Sequence, residues 1–415
     1  MIQDNIYVGL DFGTTKICVV VASKNSDGSI DIIGLGKAPS DGIRRGVVVN
    51  IDSTVQSIRD AITEAERMSG VQIKAVTAGI AGGHIKSFNQ RGTIAVKGGR
   101  EITQKDVERV IETAAATNIT VGNEILAILP QQFILDGQSE IKDPVGMSGV
   151  RLEADVHIIT GAVSSAQNII RSCEKAGIIV NDIVLEQLAS SESVLSDDEK
   201  EIGVCLIDGG GGTSDMAVFK QGAVFHTAAL LIGGRNFTKD LAIGLNTPES
   251  EAEKLKVKNG CVWMPLVEED ERIEVPTVGG RPPRLVSKAT VTQILQARAE
   301  EVFQIFKGEL QYKGLLDHLG AGVVITGGLS NHEGIDMLAA EILGVPVRVG
   351  RPHNVGGLSD YVQDPKYATG VGLAICAAKK GKSSGARLSS SGDDNDEKQF
   401  SNVLGRMKGW FSEFF

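Results

Sequence analysis

The chain has 415 residues, about 2.8 times a 150-residue domain, which predicts two to four domains and excludes one small fold. Hydrophobic residues make up 42% and charged residues 23%, which excludes disorder throughout, while 50 glycines and 4% aromatics predict aliphatic packing with many tight turns. A net charge of −10 repels nucleic acid, so no nucleic-acid partner is expected and a phosphate-bearing ligand must be held by local features.

In chain order, Ile6 to Ala22 is β-branched and apolar on both sides of DFGTTK and predicts strand, tight turn, strand. The preceding residues show no basic region followed by an apolar run, and aliphatic stretches such as Ile17 to Ala22 are strand-sized. Neither a signal peptide nor a spanning helix is therefore expected. Asp52 to Ser69 has helical periodicity and stops at Gly70; a strand over Ile73 to Ile80 follows. Residues 84–162 read as a small α+β insertion, with short β-like stretches at Thr93 to Val96, Phe133 to Leu135 and Val156 to Thr160 and a helix from about Lys105 to Ala116. A helix over Ser164 to Ala176 leads to buried strands at Ile178 to Leu185 and Val204 to Ile207. After GGGGTSD comes a hairpin, Met216 to Lys220 and Ala223 to His226, turning at Gln221-Gly222. Helices are expected over Arg235 to Ile243, Ser250 to Lys256, Ala289 to Leu310 and Tyr367 to Lys380, with a strand from Gly322 to Thr326. Residues 381–399 offer little that could be buried and predict a flexible linker. Five cysteines lie far apart with no C-x-x-C pair, and the six histidines show no metal-ligand spacing, so reduced thiols of a cytoplasmic protein are expected and zinc is not.

VGLDFGTTKICVVV (8–21) and CLIDGGGGTSDMAVF (205–219) match as strand, aspartate, glycine-rich turn with hydroxyls, strand. Glycines Gly13, Gly210, Gly211 and Gly212 let backbone N–H groups converge on one anion, and the hydroxyls of Thr14, Thr15, Thr213 and Ser214 add donors. Lys16 adds a positive charge, and Asp11 and Asp208, at the strand ends, suit a Mg²⁺ ion that keeps its waters. Neither turn is a P-loop or a dinucleotide fingerprint, because no G-x-x-x-x-G-K-[ST] occurs and both turns lead into strands. A single such turn could be a plain glycine-rich hairpin; two matched copies 197 residues apart (Asp208 against Asp11) argue for a duplicated domain with a nucleotide between its halves.

These residues resemble the phosphate motifs of the actin-like and heat-shock-chaperone ATPase superfamily. ITGGLSNHEGI (325–335), with Gly327, Gly328 and Leu329, is similar to its adenosine motif; in ESEAEKLK (249–256), Glu253 and Lys256 stand where the superfamily flanks adenine and ribose; Gly234 in GGRNFTKDLA fits the turn between them. Over nearly its whole length the chain resembles the FtsA family of bacterial cell-division proteins, through YVGLDFGTTKI, VGGRPPR (278–284), GLSDY (357–361), YATGVGLA (367–374) and the aromatic tail. The resemblance implies an α/β, actin-like (ribonuclease H-like, duplicated) two-lobed fold. Its first lobe would comprise 1–83, 163–200 and 355–380, with the inserted subdomain at 84–162; its second-lobe core would comprise 201–243 and 322–354, with a subdomain at 244–321. It further implies ATP with Mg²⁺, polymerisation of the chain, binding of the FtsZ C-terminal peptide near Arg298 and Glu301, and later division proteins meeting the insertion. No residue that would position attacking water can be placed, since Gln131 and Gln132 lie inside the insertion, and ATPase activity is expected to be slow at most.

The tail from Phe400 has its own geometry. At 100° per residue Phe400, Val403, Leu404, Met407, Trp410, Phe411, Phe414 and Phe415 share an arc of about 140°, with Arg406 and Lys408 at its flanks. That is an interfacial helix whose cations reach anionic phospholipid headgroups, too short and too charged to span a bilayer. Together with this helix, the resemblance implies a place on the cytoplasmic face of the inner membrane at the division site, as a peripheral scaffold. A small-molecule kinase of the superfamily and a tethered pilus-assembly adaptor are the competing readings; the kinase has no use for such a tail.

Overall fold

The computed structural model describes residues 5–268, 270–279 and 282–381. The first hairpin forms on either side of DFGTTK as β1 (Ile6–Phe12) and β2 (Lys16–Lys24), nearly all of it buried, as its continuous apolar run requires. β3 (Ile30–Pro39), unread in the sequence, joins as a third antiparallel strand, followed by a small hairpin of β4 (Ile43–Arg44) and β5 (Val47–Val48). Glycines had masked β3, and packing explains them: a Cβ on Gly36 would lie 1.9 Å from the Ala61 carbonyl oxygen of α1 (Ile51–Ser69). α1 begins at Asn50, whose side chain accepts from the Ser53 N–H, and ends at Gly70 with φ 70°. β6 (Ala75–Ile80) then pairs parallel with β1.

Next comes an antiparallel sheet in the order β7-β10-β8-β9, built from β7 (Lys86–Ala95), β8 (Asn123–Leu135), β9 (Gln138–Ile141) and β10 (Arg151–Ala162). α2 (Gln104–Ala115) covers it with Val107, Val110 and Ala114, closing a separate core. The three strands expected here are all longer than their apolar stretches. β7 begins with exposed polar residues, and Pro130 sits inside β8 at a bulge, where Pro130 and Gln132 face Val156 and Asp155 and Gln131 is the extra residue.

α3 (Val163–Ala176) and β11 (Ile179–Leu185) return to the first sheet, then α4 (Glu186–Val194) and α5 (Asp197–Ile202) cross toward the second. α4 was also unread: EQLASSESV shows no apolar stripe, yet seven of its residues are buried. Its serines satisfy themselves on carbonyls, Ser190 on Glu186 and Ser193 on Ala368.

The second half is β12 (Val204–Gly209), β13 (Ser214–Lys220), β14 (Ala223–Leu230), α6 (Gly234–Gly244), α7 (Glu249–Asn259), a pair of short strands β15 (Arg272–Val275) and β16 (Arg284–Ser287), and α8 (Lys288–Tyr312). β17 (Val323–Thr326), α9 (Ile335–Leu343) and β18 (Val347–Val349) complete its sheet. The chain then returns through β19 (Gly356–Gly357) and α10 (Ser359–Val362) to α11 (Ala368–Lys379). The two large sheets run β3-β2-β1-β6-β11 and β14-β13-β12-β17-β18, each an antiparallel meander extended by two parallel strands, with β19 added at the β3 edge. The duplication read in two turns thus extends to both sheets. α11 is wedged against β1 and α4 through its glycines: a Cβ on Gly372 would lie 1.7 Å from the Ala189 carbonyl oxygen. The expected linker beyond Gly381 and the expected helix over 400–415 lie outside the described residues, and among the described residues no helix is long and apolar enough to cross a membrane.

Candidate functional site

The two matched turns face one another. A Cβ on Gly211 would lie 2.6 Å from Thr15 Cγ2, and one on Gly212 2.5 Å from Thr14 Oγ1, so bare backbone is required where the halves meet. The second turn closes on itself through the Gly210 N–H to the Thr213 carbonyl (2.9 Å). It also accepts from the first turn of α6, Gly234 N–H to Gly210 O and Arg235 N–H to Gly211 O, both 2.9 Å. Gly327, at φ 80°, approaches so closely that a Cβ would lie 2.4 Å from Asp208 Oδ1.

Between these elements opens a cavity of about 340 Å³. The first turn lines it with Asp11, Gly13, Thr14, Thr15 and Lys16, and the second with Asp208, Gly210, Gly211, Gly212 and Thr213. Gly234, Glu253 and Lys256 come from α6 and α7, and Gly327, Gly328 and Leu329 from the loop after β17. Residues widely separated in sequence are thus brought to one space.

Its electrostatics are uneven. Lys16 Nζ is 3.2 Å from Asp11 Oδ2; burial works against the ammonium, but the Asp11 carboxylate holds it above its usual range. Asp208 has the Thr369 hydroxyl at 3.0 Å and Asp215 the Thr213 hydroxyl at 2.9 Å; burial pushes the two carboxyls up to about 6 and about 7. Glu186, at the first position of α4, is pushed well above the usual range by burial and by the facing Asp11, Asp215 and Asp208. Asp215 Oδ1 is buried without a hydrogen-bond partner.

Glu186 and Asp215 are the residues that sequence reasoning missed, together with Thr369 and His332. Asp215 had a signal, since it lies inside the matched LIDGGGGTSD motif; Glu186 had none, because its helix is not amphipathic. Gln131 is ruled out as a neighbour of the cavity by its bonds: its amide donates to the Val224 and Phe225 carbonyls of β14, at 3.1 and 3.2 Å. Lys256 donates to Gly234 O (3.0 Å), Thr238 Oγ1 (2.9 Å) and Glu253 (2.8 Å), tying α7 to the start of α6. Arg298 and Glu301 lie away from the cavity on α8, where Arg298 grips Asp240 of α6 (2.6 and 3.1 Å) and also pairs with Glu301. The five cysteines are free and buried.

Comparison with known proteins places this geometry. A family profile described as "Cell division protein FtsA" matches residues 205–372, and one described as "SHS2 domain inserted in FTSA" matches 82–160. The chain is 45% identical to the cell division protein FtsA of Pseudomonas aeruginosa, across 97% of this chain and 96% of that one. To its Neisseria meningitidis counterpart it is 43% identical across 100% of both. Among solved structures, a chain of a "PilM-PilN type IV pilus biogenesis complex" superposes with a TM-score of 0.67 at 15% identity, covering 90% of this chain and 98% of that one. MreB5 of Spiroplasma citri bound to ADP gives a TM-score of 0.55 at 14% identity, covering 92% and 98%. The latter two show the actin-like fold, and the near full-length identity shows more: this chain is a member of the FtsA family of actin-like cell-division proteins.

Proposed function

We propose that the protein binds ATP with Mg²⁺ in the interlobe cavity, polymerises, and as a peripheral protein of the inner membrane holds FtsZ filaments at the division site. One observation supports the nucleotide reading above all: both glycine turns, α7 and the Gly327-Gly328 loop converge on one cavity in an FtsA-family chain. The backbone N–H groups of the turns and Lys16 suit the triphosphate. The residues also fit a cation, since Asp208 and Asp215 face the cavity with only hydroxyl partners and Asp215 Oδ1 has none. Among the described residues no three acidic, His or Cys side chains cluster closely enough to hold a metal alone, which agrees with an ion that keeps waters and phosphate oxygens as ligands. Asp11, Asp208 and Asp215 would hold it through water, and it would supply charge compensation to the phosphates. Glu186 lines the cavity and would accept a proton from an attacking water once cations bound in the site favour its ionised form, the role left vacant in the sequence.

The membrane role rests on the amphipathic pattern of 400–415, the FtsZ role on family membership, and the meeting with later division proteins on the insertion at 82–160. The kinase and pilus-adaptor readings share the fold but not the family. Calorimetry with ATP and MgCl₂ tests the cavity, and absence of binding would remove it. Co-sedimentation with anionic vesicles is expected to require residues 400–415, and a chain lacking them that sediments equally would refute the anchor. Capture by the FtsZ C-terminal peptide is expected to weaken in Arg298→Ala; unchanged capture removes that position from the docking site.

A further inference from the structure

The loop that leaves β17 and the short turn that enters α11 belong to different halves of the fold and meet beside the cavity. Asn331, at the end of the loop, is an exposed residue of the cavity wall, and Lys366, in the turn, is a half-buried one; Asp364 between them is not a wall residue. Asp364 Oδ1 accepts from the Asn331 side-chain amide at 2.8 Å and from the Lys366 backbone N–H at 3.1 Å, and Oδ2 accepts from the Lys366 ammonium at 2.6 Å. Burial works against this carboxylate, but its donors hold it below the usual carboxylate range, so it is an ionised acceptor, which makes the stronger kind of hydrogen bond. Two of the three bonds seat Asp364 in its own turn. The bond from Asn331 is the one that runs between the halves.

We propose that Asp364 is a positioning residue: through Asn331 it ties the two halves together at the cavity wall and sets how fast a nucleotide enters and leaves. This rests on the nucleotide reading above, in which the ligand lies between the halves. Asp364 stands behind the wall, so an occupant does not have to displace it. The tie is therefore made with the cavity empty or filled and is given up only while the halves part. A bond present at both ends of the path and absent between them raises the barrier in both directions and adds little to affinity.

The test is stopped-flow mixing of a fluorescent ATP analogue and MgCl₂ with the full-length protein, then displacement by unlabelled ATP. It compares the wild type with Asn331→Ala, Asp364→Ser and the double variant. Serine keeps a hydroxyl to cap the turn and is too short to reach Asn331. In each single variant association and dissociation are both expected to quicken about 5-fold. The double variant is expected to be no faster than Asp364→Ser alone, because the two substitutions remove one bond. Faster dissociation with unchanged association in Asn331→Ala would make Asn331 a contact of the ligand and overturn the tie. Unchanged rates in that variant, or additive effects in the double one, would overturn it too, and each of these results leaves the nucleotide reading standing. Should Asp364→Ser fail to fold, Asn331→Ala decides, since its side chain is exposed. No binding of any nucleotide by the wild type would instead remove the nucleotide reading and this inference with it.

Discussion

The two hairpins occupy equivalent places in the two sheets, yet they carry opposite chemistry. At the constant offset of 197 (Asp208 against Asp11), Lys16 corresponds to Thr213 and Cys18 to Asp215; in each hairpin the second of these pairs across the ladder with the aspartate, Cys18 with Asp11 and Asp215 with Asp208. The first hairpin is charge-balanced, its aspartate paired with a lysine 3.2 Å away. The second holds two buried carboxylates with hydroxyl partners only. Duplication preserved the backbone of the two turns and let the side chains diverge, so that one half carries an aspartate paired with a lysine and the other two buried carboxylates met by hydroxyls.

The largest effect is expected from removing the balance on each side in turn. Asp11→Asn strands the Lys16 ammonium in the site and is expected to cost about 3 kcal/mol in urea unfolding of the nucleotide-free protein. Asp208→Asn removes an uncompensated buried charge and is expected to be neutral or stabilising in the same assay. Equal losses in both variants would break the contrast.

Next in size, Gly212→Val would press on Thr14 Oγ1 and part the turns. ATP affinity is expected to fall about 100-fold, near 2.7 kcal/mol, with a smaller change in melting temperature; unchanged affinity would show that the turns need not touch.

The second hairpin makes a pH-dependent contribution of definite sign. Asp208 and Asp215 hold their protons more tightly folded, with pKa about 6 and about 7, than in an unfolded chain near 3.9. At these two sites the folded state therefore binds more protons, and their contribution to the stability of the nucleotide-free protein falls as pH rises from about 4 through about 7. Melting curves of Asp215→Asn are expected to show a shallower decline, and Mg²⁺ with nucleotide to offset it in the wild type. A decline as steep in Asp215→Asn as in the wild type would count against the uncompensated pair.

The smallest change lies outside both hairpins. His157 of β10 meets Asn89 Oδ1 at 2.6 Å and Thr227 Oγ1 of β14 at 3.0 Å, joining the inserted sheet to the second lobe. Asn89→Ala leaves one imidazole nitrogen unmet and is expected to cost about 1 kcal/mol, with faster hydrogen exchange in β14 and unaltered ATP affinity. Altered affinity would mean that the insertion communicates with the hairpins.

Where periodicity and chemistry coincided, the sequence was legible. Val55, Ile58, Ile62 and Ala65 mark one face of α1 between Asn50 and Gly70, and the aspartate-glycine-hydroxyl turns announce themselves because few other jobs require that combination. Legibility failed where residues were chosen for closeness. The glycines of β3 interrupt its apolar run and are the places where α1 touches the strand, and the serines of α4 leave it without an apolar stripe and bond to carbonyls inside a buried helix.

By itself, then, the sequence determined the duplicated hairpins, their glycine-rich turns and the amphipathic pattern of 400–415, since each is written in local spacing that backbone geometry reads directly. Tertiary structure alone decided that Glu186, Thr369 and His332 join the cavity. They come from segments separated along the chain, and only burial against charges and carbonyls from other segments makes Glu186 a raised carboxyl and leaves His332 a bare acceptor.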